Sequence, residues 1–138
     1  MVTNKFSAEA YNLAGKEFLP GHLGIVIKKV AQGEVQAELP IVKQLMAPNG
    51  FLHAGSVVTL ADTCCGYGCV AHLPEGASGF TTIELKSNHL GTAREGVIQC
   101  EAKAVHLGKS TQVWDAVVSQ NGKTLALFRC TQMVLFPK

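Results

Sequence analysis

The sequence predicts an α+β fold in which a curved antiparallel sheet wraps one long central helix. Three observations predict it. From Ala54 to His72, apolar residues recur at steps of three and four. Four later stretches alternate apolar and polar residues between turn residues, as half-buried strands do. The helical stretch is also apolar around most of its circumference, so it needs cover on most sides, and strands curling around it supply that cover.

The elements follow in order. Ser7 can cap a first helix that runs through about Phe18 and is ended by Pro20-Gly21. The segment Gly24 to Pro40 alternates around Gln32-Gly33 and reads as a hairpin. A short turn or helix follows over Ile41 to Pro48. In the central helix, Val57, Leu60, Ala61, Cys64, Cys65 and Gly68 share one face, while Thr59, Asp62, Thr63 and Gly66 lie elsewhere on the cylinder. Gly66 and Gly68 each cost about 1 kcal/mol of helix propensity relative to Ala, tolerable where a ligand or another backbone comes close. Pro74-Glu75-Gly76 ends the element. Strands are predicted over Phe80–His89, Val97–His106, Thr111–Ser119 and Thr124–Leu135. Asn121-Gly122 between the last two is a hairpin signal, because both residues accept positive φ.

A chain of 138 residues fits one domain, residues 1–138. Charged residues make up 16%, below the roughly 25% usual for soluble domains, which suggests that another subunit covers part of the surface. The net charge of +2 is spread without a Lys/Arg run, so nucleic acid is not expected as a partner. The N-terminus has no apolar core of the secretory type. The apolar stretch from Ala54 to Leu73 is interrupted by Asp62 and His72 and does not suit a membrane span. The expected location is therefore cytoplasmic. Five cysteines, an odd number, argue against a disulfide framework and read as small buried hydrophobes. The scattered histidines have no metal-ligand spacing, so no metal or other cofactor is expected.

Two features carry possible chemistry. The lead-in Pro48 to Gly55 runs into the helix start, where backbone N–H groups lack intrahelical partners and the helix dipole adds positive charge. Flanked by Gly50 and Gly55, it could admit a ligand carbonyl as an oxyanion hole, or the glycines could simply make the turn. Asp62 is the only acidic residue between Glu38 and Glu75 and sits inside an apolar helix. A carboxylate there is either a functional group with a raised pKa or one that reaches water or a Lys. His53 could serve as acid or base, or hold the loop. Lys109 beside Gly108 could reach a phosphate or be an ordinary turn lysine. No G-x-S-x-G elbow, P-loop or dinucleotide fingerprint is present.

These patches resemble a known family. Gly50-Phe51-Leu52-His53-Ala54-Gly55 followed by Leu60-Ala61-Asp62-Thr63 resembles the signature of hotdog-fold acyl-CoA thioesterases of the phenylacetate-degradation (PaaI-like) group. Thr81 to Lys86, Val105 to Ser110 and Gly122 to Ala126 resemble its later motifs, in family order. The resemblance implies a hotdog fold and hydrolysis of acyl- or aryl-CoA thioesters, with coenzyme A entering only as part of the substrate. It also implies dimers paired through their sheets, often assembled into homotetramers, with sites at the dimer interface. Position by position, it gives Asp62 as nucleophile or general base, the Ala54 N–H as oxyanion donor, and His53 near the thioester. It gives Thr82 as a positioner of water, and Gly108 and Lys109, with His106 beside them, at the CoA nucleotide. The chain departs from the family pattern twice. Ala54 stands where a glycine is usual, and Ala47 stands where many members carry Asn or Gln, with Asn49 two residues later as a substitute. The second departure motivates an alternative, a non-catalytic acyl-CoA-binding protein. A hotdog hydratase or dehydratase using His53 with Asp62 is a further one.

Overall fold

The structure, a computed structural model, describes residues 4–138; the first three residues of the stretch read for a leader lie outside the described part. Ser7 caps the first helix as expected, its hydroxyl accepting from the Ala10 N–H at 3.2 Å. That helix, α1 (Ala8–Gly15), stops at Gly15 rather than near Phe18. A Cβ at Gly15 would lie 2.5 Å from the Tyr67 hydroxyl, so the chain turns where α1 meets the central helix. Pro20-Gly21 does not end α1. It sits inside a second short helix, α2 (Leu19–Leu23), with Pro20 in the first turn, where its missing N–H costs nothing. Gly24, at φ 91°, closes α2.

Six strands follow the expected segments: β1 (Val26–Ala31), β2 (Glu34–Pro40), β3 (Gly79–His89), β4 (Val97–Leu107), β5 (Thr111–Gln120) and β6 (Lys123–Leu135). A 3-10 turn spans Lys43–Leu45, and the central helix is α3 (Ala54–Ala71). Asn121 and Gly122 take φ of 50° and 80°, the doubly left-handed turn their types favour. All pairings are antiparallel, in the order β1-β2-β4-β5-β6-β3.

The inner positions of β2, β4, β5 and β6 bury their side chains against α3, whose Val57, Leu60, Ala61, Cys64, Cys65 and Gly68 form the buried face read from the periodicity. Sheet and helix together make the hotdog arrangement. Strand β3 is the exception to the burial. It lies at the sheet edge and is exposed along most of its length, with Ile83 and Leu85 uncovered.

Outside the sheet, α1 is clamped to β1 by one residue. The Asn12 side chain donates to the Ile27 carbonyl at 2.9 Å and accepts from its N–H at 2.7 Å. An Asn12→Ala protein should lose about 2 kcal/mol, roughly 1 per hydrogen bond. Urea unfolding followed by circular dichroism checks this, and an unchanged midpoint would show that the clamp contributes nothing.

Candidate functional site

The lead-in to α3 is organised by His53. Its imidazole Nδ1 accepts the Gly55 N–H at 2.7 Å, capping the helix and fixing the ring over the first turn. A Cβ on Gly55 would lie 2.9 Å from that nitrogen, so the glycine is required by the histidine cap itself. Gly50, at φ 89°, makes the preceding turn. Asn49 is exposed, and its carbonyl oxygen accepts from the Phe51 N–H at 3.1 Å within its own loop. Ala54 is the first helical residue and is exposed, so its N–H points out of the helix mouth.

Asp62 lies further along α3, half-buried. One of its oxygens, Oδ1, is buried without a hydrogen-bond partner among the described residues. Burial pushes its carboxyl above the ordinary carboxylate value. Two features mark where the helix meets β3. Near the C-terminal half of α3, Gly66 faces Phe80, whose ring would stand 3.3 Å from a Cβ there. At the helix start, Ala54 and Val57 share a small cavity with His89. Asp62, one turn from Gly66 on the same side, lies between these points along the helix. The β3 residues paired to buried positions of β6 are Phe80, Thr82, Leu85, Ser87 and His89, opposite Val134, Gln132, Cys130, Phe128 and Ala126. Thr82 is thus turned toward the helix side of the sheet, although it is exposed.

The three residues expected at the CoA nucleotide sit elsewhere. His106 and Gly108 are packed together, a Cβ at Gly108 falling 2.6 Å from His106 Nε2, and Lys109 is exposed in the β4–β5 turn. Gln112, just past that turn, donates to the His72 carbonyl at the C-terminal end of α3. Within one chain the turn is therefore about 27 Å from Ala54, the length of an 18-residue helix. Ala54 and Asp62 are separated by eight residues, about 12 Å along the axis, far beyond the ~3 Å reach of a shared reacting group.

Several polar groups were not singled out from the sequence. His89 and Thr92 line the cavity beside Ala54. Ser87 Oγ and both ends of the Gln132 amide are buried without partners among the described residues. Gln112 and Gln132 hold inward positions on otherwise apolar alternations, and that period-two pattern could have marked them. The cavity that His89 shares with Ala54 joins distant segments and has no such signal.

The cysteines offer no nucleophile. All five are free and buried. Neighbouring thiols and burial hold Cys64 and Cys65 well above the thiol range, Cys100 acting on the first and Cys130 on the second, and burial pushes Cys69 up to about 12. Among the described residues no group of three or more His, Cys, Asp or Glu side chains could hold a metal, and no helix is long and apolar enough to cross a membrane.

Residues 49–127, from the lead-in through α3 into β6, match the family described as the thioesterase superfamily. The chain belongs to the thioesterase superfamily. It is a thioester hydrolase by family, and its relatives agree. Over 135 residues it is 30% identical to a 1,4-dihydroxy-2-naphthoyl-CoA hydrolase of Escherichia coli, covering 95% of this chain and 96% of the relative. A proofreading thioesterase of Klebsiella pneumoniae is 29% identical, covering 91% and 92%. The crystal structure of a thioesterase of Haemophilus influenzae superposes with a TM-score of 0.90 at 28% identity, over 99% of this chain and 96% of the other. This thioesterase thus shares with these proteins the whole frame that carries His53, Ala54 and Asp62.

Proposed function

We propose that the protein hydrolyses acyl- or aryl-CoA thioesters to free acid and CoA. The observation that carries this reading is Asp62, a carboxylate with an unpartnered buried oxygen and a raised pKa on the helix of a thioesterase frame. The Ala54 N–H polarises the thioester carbonyl and holds the oxyanion that forms there. The Asp62 carboxylate either attacks that carbonyl or takes a proton from a water that attacks it. Collapse of the tetrahedral species breaks the C–S bond and expels the CoA thiolate. Where water attacked, the acid leaves directly and the proton taken by Asp62 passes to the thiolate. Where Asp62 attacked, the acyl group stays on it as a mixed anhydride that a water hydrolyses, supplying the thiolate's proton. His53 Nε2, its ring fixed by the Nδ1 cap, stands at the same mouth. Thr82 helps hold the water, and the His106–Lys109 turn meets the nucleotide. No metal or redox group enters any step.

The 12 Å between Ala54 and Asp62 argues that one chain does not complete the site, and the exposed β3 edge suggests how two do. An unpaired edge strand of 11 residues with uncovered Ile83 and Leu85 invites antiparallel pairing with its own copy. Pairing there would carry the acid of one copy toward the lead-in of the other. Dimers then account for the low charge fraction, and tetramers follow by further stacking. Ile83→Asp should convert the protein to a monomer in size-exclusion chromatography and remove activity with it. A monomer of full activity would disprove the shared site.

The test of the function is thiol release from a panel of acyl- and aryl-CoA thioesters. Release from at least one of them is expected. Tight CoA-thioester binding with no release would favour the second reading, a non-catalytic binder, for which Ala47 and the self-occupied Asn49 side chain are the motive.

A further inference from the structure

A second cavity opens at the start of α3, lined in part by His53. It has a volume of 360 Å³. It is lined by Leu19 and Leu23 of α2, by Gln44 and Met46, and by His53, Ser56 and Thr59 of the helix start. Small-molecule sites run from about 300 to 1,000 Å³, so the size suits a ligand fragment. The cavity beside Ala54 and His89 has only 70 Å³, too little for anything but a slender arm or a few waters. Of the two spaces that meet at the helix mouth, only the larger can take a bulky acyl group.

The surface chemistry says what kind. The Ser56 hydroxyl donates to the Leu45 carbonyl at 2.7 Å, and the Thr59 hydroxyl donates to the Gly55 carbonyl at 2.8 Å. Both hydroxyl hydrogens are turned away from the groove, which leaves exposed Gln44 and His53 as the polar side chains of the lining able to meet a ligand. Leu19 is 57% exposed, a large apolar side chain with nothing of its own chain upon it. Helix α2 supplies this wall from outside residues 49–127, the part common to the superfamily.

We propose that Leu19, Leu23 and Met46 form the acyl-selecting wall of this enzyme, and that the groove takes apolar acyl groups well beyond acetyl. The acyl group lies between α2 and α3 while its carbonyl meets the Ala54 N–H, with the His53 ring between groove and carbonyl. This deepens the thioesterase reading and rests on it.

The experiment compares kcat/KM for acetyl-, butyryl-, octanoyl- and benzoyl-CoA in the full chain and in Leu23→Trp and Leu19→Trp. Leu19 is exposed, so the second variant folds even if the first does not. Filling the groove should lower kcat/KM at least tenfold for octanoyl- and benzoyl-CoA and less than twofold for acetyl-CoA. An equal loss for all four, or an unchanged profile, overturns the inference while leaving the thioesterase reading intact. If the native protein cleaves none of them, that reading fails separately and calorimetry decides the groove. Native protein should then bind octanoyl-CoA at least tenfold more tightly than CoA, and Leu19→Trp should abolish the difference. Equal affinity for the two ligands in the native protein would overturn it.

Discussion

Asp62→Asn should lower thioester turnover by about three orders of magnitude with the fold kept, since general acid–base groups typically contribute 10²–10⁴-fold. Asn has the same shape but can neither accept a proton nor attack a carbonyl. The variant should also be at least as stable as the native protein at neutral pH. Burial holds the folded-state pKa of Asp62 above its unfolded value, so the folded form favours the protonated carboxyl. The stability this group contributes is full below the unfolded pKa and is lost as pH rises through the folded one. Asn stays neutral and escapes that loss, so the two proteins should converge in acid and separate above it. Native turnover should fall on the acid side as Asp62 is protonated, with a midpoint above the ordinary value of 3.8. Thiol release and thermal melts across pH check both parts. Full turnover in the variant would remove Asp62 from the mechanism.

The other large effect is structural. Trp114→Ala should cost about 4 kcal/mol, the usual range for a buried large aromatic being 3–5. The indole is wholly buried, donates its N–H to Gln112 Oε1 at 2.8 Å, and stacks edgewise with the His72 ring at 5.2 Å. It also lies where a Cβ on Gly68 would come within 2.7 Å of it. A domain of this size has about 5–15 kcal/mol of stability in total, so the variant should unfold at much lower urea. Trp114 is the chain's one tryptophan, so circular dichroism must follow the transition. A loss under about 1 kcal/mol would mean that the helix is not seated on this ring.

Gly68 shows both what was legible in the sequence and what was not. Its place on the buried face of α3 followed from period, and the need for a close neighbour followed from its low propensity. That the neighbour is an indole from β5, and not a ligand, depends on a pairing between segments far apart in the chain. The strands and the Asn121-Gly122 turn were readable for a similar reason, since alternation and turn chemistry are local. The break after Gly15 was not, because Tyr67 imposes it from the central helix. Asp62 stood out as a lone acid on an apolar helix. Its distance from Ala54 follows from helix rise alone, yet that one of its oxygens is buried without a partner among the described residues required the packing. His89 and the groove beneath α2 were invisible, because each forms only where separate segments converge.

The burial of all five cysteines has a practical side. A chromogenic disulfide reagent that counts CoA released by turnover should see almost no background from the folded enzyme. The same reagent, with substrate left out, becomes a clock for opening of the core. Five slow equivalents per chain would appear only as fast as the native state unfolds, and a variant such as Trp114→Ala should give them up early.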